Sequence, residues 1–137
     1  MWKTLLILML CLTVTVSAFA ETTVYTAEGD DESAVDVSGN EQVTLTGVTV
    51  MKTDGNASSA DAASFRGVNS AIRVYDHAML TISDSVIEAS AQNATGVFAY
   101  DHGTVYINDC EVTVTGGGAG GVQVAGGGTL TQPDRTI

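Results

Sequence analysis

Val97-Phe98-Ala99-Tyr100-Asp101-His102 and then Val105-Tyr106-Ile107-Asn108-Asp109 repeat, at a distance of 25 residues, Ile72-Arg73-Val74-Tyr75-Asp76-His77 and then Leu80-Thr81-Ile82-Ser83-Asp84. Another step of 25 reaches Val122-Gln123-Val124 and then Gly126-Gly127-Gly128-Thr129-Leu130-Thr131. An earlier copy, Val35-Asp36-Val37, Val43-Thr44-Leu45 and Val48-Thr49-Val50, lies 37 residues before the second. A period of this length marks a repeat architecture. Each copy alternates apolar and polar residues over short runs separated by turns, so the unit reads as one coil of a β-solenoid. The fold class expected is all-β, with about four coils of roughly 25 residues spanning residues 34–131.

Each coil divides into three strands. Because successive side chains point to opposite faces of a strand, the residues expected inside form columns. The first strand contributes Val35/Val37, Ile72/Val74, Val97/Ala99 and Val122/Val124; the second contributes Val43/Leu45, Leu80/Ile82, Val105/Ile107 and Leu130. The third contributes Val48/Val50, Ser85/Ile87 and Cys110/Val112, which puts Cys110 inside. Between second and third strands the bend column reads Gly47, Asp84, Asp109, residue types that tolerate a left-handed backbone. The longer bend reads Ser38-Gly39-Asn40-Glu41, Tyr75-Asp76-His77-Ala78, Tyr100-Asp101-His102-Gly103 and Ala125-Gly126-Gly127-Gly128, all rich in turn formers.

The segments outside the repeats differ in character. Residues 1–20 join Lys3, an apolar run from Leu5 to Val16, and small residues Ala18 and Ala20, the pattern of a secretory signal peptide cleaved after Ala20. The run is too short for a comfortable membrane span. Residues 21–33 form an acidic lead-in with Asp30-Asp31-Glu32, read as a strand and loop that cap the first coil. The 12 extra residues of the long step fall within 51–69, an Ala/Ser/Asp/Gly-rich stretch read as a loop insertion. Residues 132–137 read as an irregular tail: Pro133 breaks the strand pattern and the fourth copy lacks its third strand. Either the chain is the amino-terminal piece of a longer surface protein, or its open end pairs with another molecule.

The net charge is −11, and losing Lys3 with the leader makes it more negative, so nucleic acid and anionic membranes are poor partners. Cys110 is the one cysteine beyond Ala20, which leaves stability to stacking rather than to an internal disulfide.

The rungs VYDHAMLTISDSVI, VFAYDHGTVYINDCEV and VQVAGGGTLT resemble those of right-handed parallel β-helix proteins of the pectin-lyase-like class, and more closely the repetitive non-catalytic β-helices of secreted bacterial surface proteins and adhesins. The resemblance covers about residues 34–131 and implies a right-handed, single-stranded β-helix. It further implies an exported, non-enzymatic module at the cell surface, a stalk or a face that binds glycans or proteins. The competing implication is a polysaccharide lyase or hydrolase working along the outward column of the first strand, Asp36, Arg73, Phe98 and Gln123. That chemistry requires flanking carboxylates, or an acidic metal site with a basic residue. Asp36 and Arg73 read more simply as an ion pair between neighbours.

No catalytic residue is assigned. Asp76, His77, Asp101 and His102, stacked one coil apart, are the metal candidates, since imidazole and carboxylate suit zinc or another transition ion. Calcium is the alternative for Asp84 with Asp109, or for Asp30-Asp31-Glu32. The flanking copies, Gly39-Asn40 and Gly126-Gly127, point instead to a position that simply selects turn residues, and no resident cofactor is expected. Asn56-Ala57-Ser58 and Asn93-Ala94-Thr95 match the glycosylation acceptor pattern.

Overall fold

A computed structural model describes residues 21–117 and 120–132. The signal-peptide reading of residues 1–20 and the tail from 133 lie outside the described residues.

Alternation of β-branched and polar residues produces twelve short strands: β1 (Val24–Ala27), β2 (Val35–Val37), β3 (Gln42–Thr46), β4 (Thr49–Lys52), β5 (Ile72–Val74), β6 (Met79–Ser83), β7 (Val86–Ala89), β8 (Val97–Ala99), β9 (Thr104–Asn108), β10 (Glu111–Val114), β11 (Val122–Val124) and β12 (Thr129–Thr131). They form three four-stranded parallel sheets, ordered β1-β4-β7-β10, β2-β5-β8-β11 and β3-β6-β9-β12. Every strand pairs with the one three places on, so the chain visits the sheets in turn and advances by one strand at each visit. The architecture is β-rich, parallel and solenoid-like.

The registers follow the sequence copies residue for residue. Val35 pairs with Ile72 and Ile72 with Val97; Leu80 pairs with Val105 and Ile82 with Ile107; Val50 pairs with Ile87 and Ile87 with Val112. Like therefore lies on like across the interior. Ile72, Val74, Leu80, Ile82, Ile87, Val97 and Val105 are fully buried in one cluster, each such side chain contributing about 1.5–3 kcal/mol by leaving water. Val43, Leu45, Val112 and Leu130, all expected inside, are only partly buried at the ends of the sheets, and Val124 is 49% exposed. Their columns are right, but each lacks a next strand on one side.

Both bend columns adopt the left-handed backbone their residue types permit. Gly47, Asp84 and Asp109 have φ of 65°, 50° and 50°. In the longer bend Gly39-Asn40, Asp76-His77, Asp101-His102 and Gly126-Gly127 carry two positive φ angles in succession.

Two stretches differ from the sequence reading. The lead-in is more than a cap, because Val24–Ala27 pairs in parallel with Thr49–Lys52 and supplies the first strand of its sheet. The insertion begins later than expected, since Met51 and Lys52 belong to β4, and it contains a helix, α1 (Ala60–Arg66). Ser59 caps α1 by accepting from the Ala62 N–H at 3.0 Å, and Gly67 ends it in the left-handed conformation with φ 63°. Seven residues are too few to show a helical period in sequence.

Candidate functional site

The longer bend stacks identical side chains in adjacent layers. Tyr75 and Tyr100 lie 5.1 Å apart between ring centroids, with 18° between planes, and His77 and His102 lie 4.7 Å apart at 2°. The cause is the one-strand spacing of parallel neighbours combined with repeated backbone angles, which leave each side chain directly over its copy. Each imidazole turns Nδ1 toward the carboxylate before it, 3.6 Å from Asp76 to His77 and 3.5 Å from Asp101 to His102, with all four side chains largely exposed. A zinc ion bonded to an imidazole nitrogen lies near the plane of that ring, and two rings parallel to within 2° with centroids 4.7 Å apart do not share a plane in this arrangement. Among the described residues no group of three or more His, Cys, Asp or Glu converges as a metal centre would require.

The lead-in carboxylates each accept a backbone N–H. Asp30 accepts the Asn56 N–H at 2.8 Å, Asp31 the Ser58 N–H at 2.7 Å, and Glu32 the Gly29 N–H at 2.9 Å. Asp30 and Asp31 join the lead-in to the insertion, and Glu32 closes a turn within the lead-in. Asp84 and Asp109 occupy their bend with left-handed backbones. Of the two glycosylation-pattern residues, the Asn93 amide donates to the Asn56 side-chain oxygen at 3.3 Å.

On the outward side of β2, β5 and β8, Asp36 and Arg73 form the expected ion pair at 3.6 Å. Arg73 also donates to the Arg66 carbonyl at 2.9 Å and to the Tyr100 hydroxyl at 2.7 Å, and its guanidinium lies 4.2 Å from the Tyr75 ring centre. Such planar, multiply bonded contacts suit arginine. Phe98 departs from expectation: it points outward yet is fully buried, because the insertion folds over it. A side-chain carbon placed on Gly67 would come within 2.3 Å of the Phe98 ring, which measures how closely the end of α1 presses there. This column is therefore a covered surface at Phe98 rather than an open groove.

Sequence reasoning missed Lys52. It continues the inward alternation Val48, Val50, Lys52, pairs with Ala27 and Ala89, and is fully buried. Its Nζ donates to the Gly29 carbonyl at 2.5 Å. Burial pushes its pKa below the ordinary lysine value, a shift opposed by Glu32, Asp30, Asp54 and Asp31. The signal was available in the period-two pattern, where a lysine occupies an interior position. Cys110 takes the position held one layer below by Ser85 and is half-buried, with its thiol 3.3 Å from the Asn108 carbonyl. Burial raises its pKa, so it is held as a thiol.

The outward face of β3, β6, β9 and β12 is open. Gln42, Met79, Thr104 and Thr129 form one row, Thr44, Thr81, Tyr106 and Thr131 a second, and Thr46, Ser83 and Asn108 a third. Tyr106 is an exposed aromatic ring set among hydroxyls and an amide. On the adjoining sheet a depression of about 240 Å³ is lined by Met51, Thr53, Glu88, Ser90, Thr113 and Thr115. No helix of the described residues is long and apolar enough to cross a membrane. In comparison with known proteins, the chain matches no family model, no curated protein and no solved structure.

Proposed function

We propose that the protein is an exported, non-enzymatic module, a right-handed β-helix of four coils similar to the repeat regions of bacterial surface proteins and adhesins. Its role is that of a secreted or surface-held stalk presenting a flat repetitive face to extracellular glycans or surface proteins. The observation that carries this reading is the open face of β3, β6, β9 and β12, where rows of Thr, Ser, Asn and Gln surround Tyr106. Hydroxyl and amide groups at the regular strand spacing of about 4.8 Å suit a polymer of hydroxylated units. An exposed tyrosine adds an apolar ring with a polar tip, a combination frequent at binding surfaces. Binding to a glycan array tests it, with signal expected to fall about tenfold or more in Tyr106→Ala. Equal binding by the variant and the parent removes the face from the account.

The alternative, a polysaccharide lyase or hydrolase along the Asp36–Arg73 column, is disfavoured by the cover over Phe98 and by the existing partners of Arg73. Incubation with acidic polysaccharides discriminates between the two. Release of unsaturated ends or reducing sugar, abolished by Asp36→Ala or Arg73→Ala, would replace the binding reading with the enzymatic one.

A further inference from the structure

The depression of about 240 Å³ on the sheet of β4, β7 and β10 is bordered by two rows of outward side chains. Met51, Glu88 and Thr113, partners in register across the three strands, form the first row. Thr53, Ser90 and Thr115 form the second, because the ladder runs one residue past each strand: their N–H groups donate to the carbonyls of Ala27, Lys52 and Ala89 at 3.2, 2.9 and 2.9 Å. Between the rows Lys52, Ala89 and Val114 turn inward, so backbone floors the space. Neighbouring strands stand about 4.8 Å apart and residues i and i+2 about 6.6 Å, so the rows frame a patch roughly 10 Å by 7 Å. Sites for drug-sized ligands run to roughly 300–1,000 Å³, so this one is limited to a single small unit.

The lining sets the chemistry of the occupant. Thr53, Ser90, Thr113 and Thr115 bring hydroxyls, Met51 a thioether and Glu88 a carboxylate. The Glu88 side chain is exposed, and among the described residues no hydrogen bond or ion pair engages its carboxylate. The other outward residues of the sheet, Val24, Thr26, Thr49, Val86 and Glu111, supply no base. Lys52, the one lysine of these strands, faces the interior with its Nζ on the Gly29 carbonyl. A positive charge for Glu88 must therefore come with the ligand.

We infer that this depression binds a small hydroxylated ligand carrying a protonated amine, the chemistry of an amino sugar unit with a free amino group. Glu88 accepts from the ammonium in a charge-assisted hydrogen bond. The Thr and Ser hydroxyls both donate and accept, as the hydroxyls of a sugar ring do. Met51 lays its flexible apolar stem and sulfur against the carbon skeleton. An anionic sugar would meet Glu88 and a net charge of −11, and a neutral one would leave the carboxylate without a counter-charge. Tyr106 lies on β9, in a different sheet, so the depression and the Tyr106 face are separate sites.

The test is a titration of the isotope-labelled full chain followed by amide chemical shifts. Glucosamine should move the amides of Glu88, Ser90 and Thr113 with a Kd on the order of 1 mM, and glucose and N-acetylglucosamine, which keep hydroxyls and lose the charge, should bind about tenfold more weakly. Glu88→Gln, a change at an exposed position, should bring the three sugars level. Cyclohexylamine, which has the charge and the ring without the hydroxyls, should bind about tenfold more weakly than glucosamine, and Thr113→Val should narrow that gap. Absence of shifts at these amides, equal binding of glucosamine and N-acetylglucosamine by the parent, a preference that survives Glu88→Gln, or cyclohexylamine binding as tightly as glucosamine each overturns the inference. Shifts confined to the Tyr106 face overturn this inference alone and leave the proposed function standing. Shifts at Glu88 that persist in Tyr106→Ala uphold the site whatever becomes of that face.

Discussion

Strands in the middle of each sheet and strands at its ends carry the same residue types in the same register, yet they live in different environments. Leu80 and Val105 are fully sealed, whereas Val43 and Leu130 in the same column are not. Val74 and Ala99 are sealed, whereas Val124 is half exposed. Nothing in the side chains distinguishes the members of a column. What differs for Val43, Val124 and Leu130 is that a strand lies on one side alone, whereas Val37 in the end strand β2 is buried by other cover. In a layered molecule, burial is a property of neighbours, and interface terms between layers carry most of the stability.

The widest expected gap follows directly. Leu80→Ala, which opens a cavity between two occupied layers, should cost about 3–4 kcal/mol, and Leu130→Ala no more than about 1 kcal/mol. Urea unfolding with unchanged slope measures both. Equal losses would mean that the end faces are covered in solution, which a concentration series would then trace to self-association.

A second experiment moves to the outward side of β8, where the cover over Phe98 comes from α1 and its cap instead of from another layer. Gly67→Ala adds a carbon where the ring already sits, at a backbone φ of 63°. A loss of about 2–3 kcal/mol is expected, together with increased fluorescence quenching or proteolysis in the insertion. A neutral result would show that α1 does not press on the sheet.

The smallest effect concerns Lys52, an interior position near the β1 end. Its folded pKa lies below the unfolded value of 10.5, so the folded state disfavours the charged form. The penalty is complete below the lowered folded pKa, and it is relieved as pH rises toward 10.5, where the unfolded chain still holds the proton. The melting temperature of the parent should therefore gain on that of Lys52→Met across this alkaline window. A constant difference between the two would show that Lys52 keeps an ordinary pKa.

The same contrast explains which features the residues announce. Columns and bends were legible because repetition places equal side chains in equal surroundings, and Gly47, Asp84 and Asp109 declare one backbone demand three times. The ion pair of Asp36 with Arg73 was legible for the same reason. The insertion repeats nothing and reads from its composition as a loop, which passes over the local signal of Ser59 before a run of Ala and Gly67 after it. Phe98 points outward as read, and its burial was not foreseen because period two gives the direction of a side chain and says nothing of what lies over it. Lys52 was overlooked because a lysine reads as surface until its alternation partners are counted. The stacked tyrosines and histidines follow from the repeat, but their chemistry does not: two parallel rings are what duplication yields with or without a ligand.

One consequence of the shared register concerns the evolution of the molecule's size. Residues 86–110 join β7 to the start of β10, and β7 and β10 occupy equivalent places in one sheet. Copying or excising such a segment as a block would leave every remaining column and both terminal surfaces intact, whereas an insertion of any other length must be expelled into a bend, as residues 53–69 are. Genetic lengthening of this protein is thus quantised, and the rod can grow by slippage without having to invent a new core.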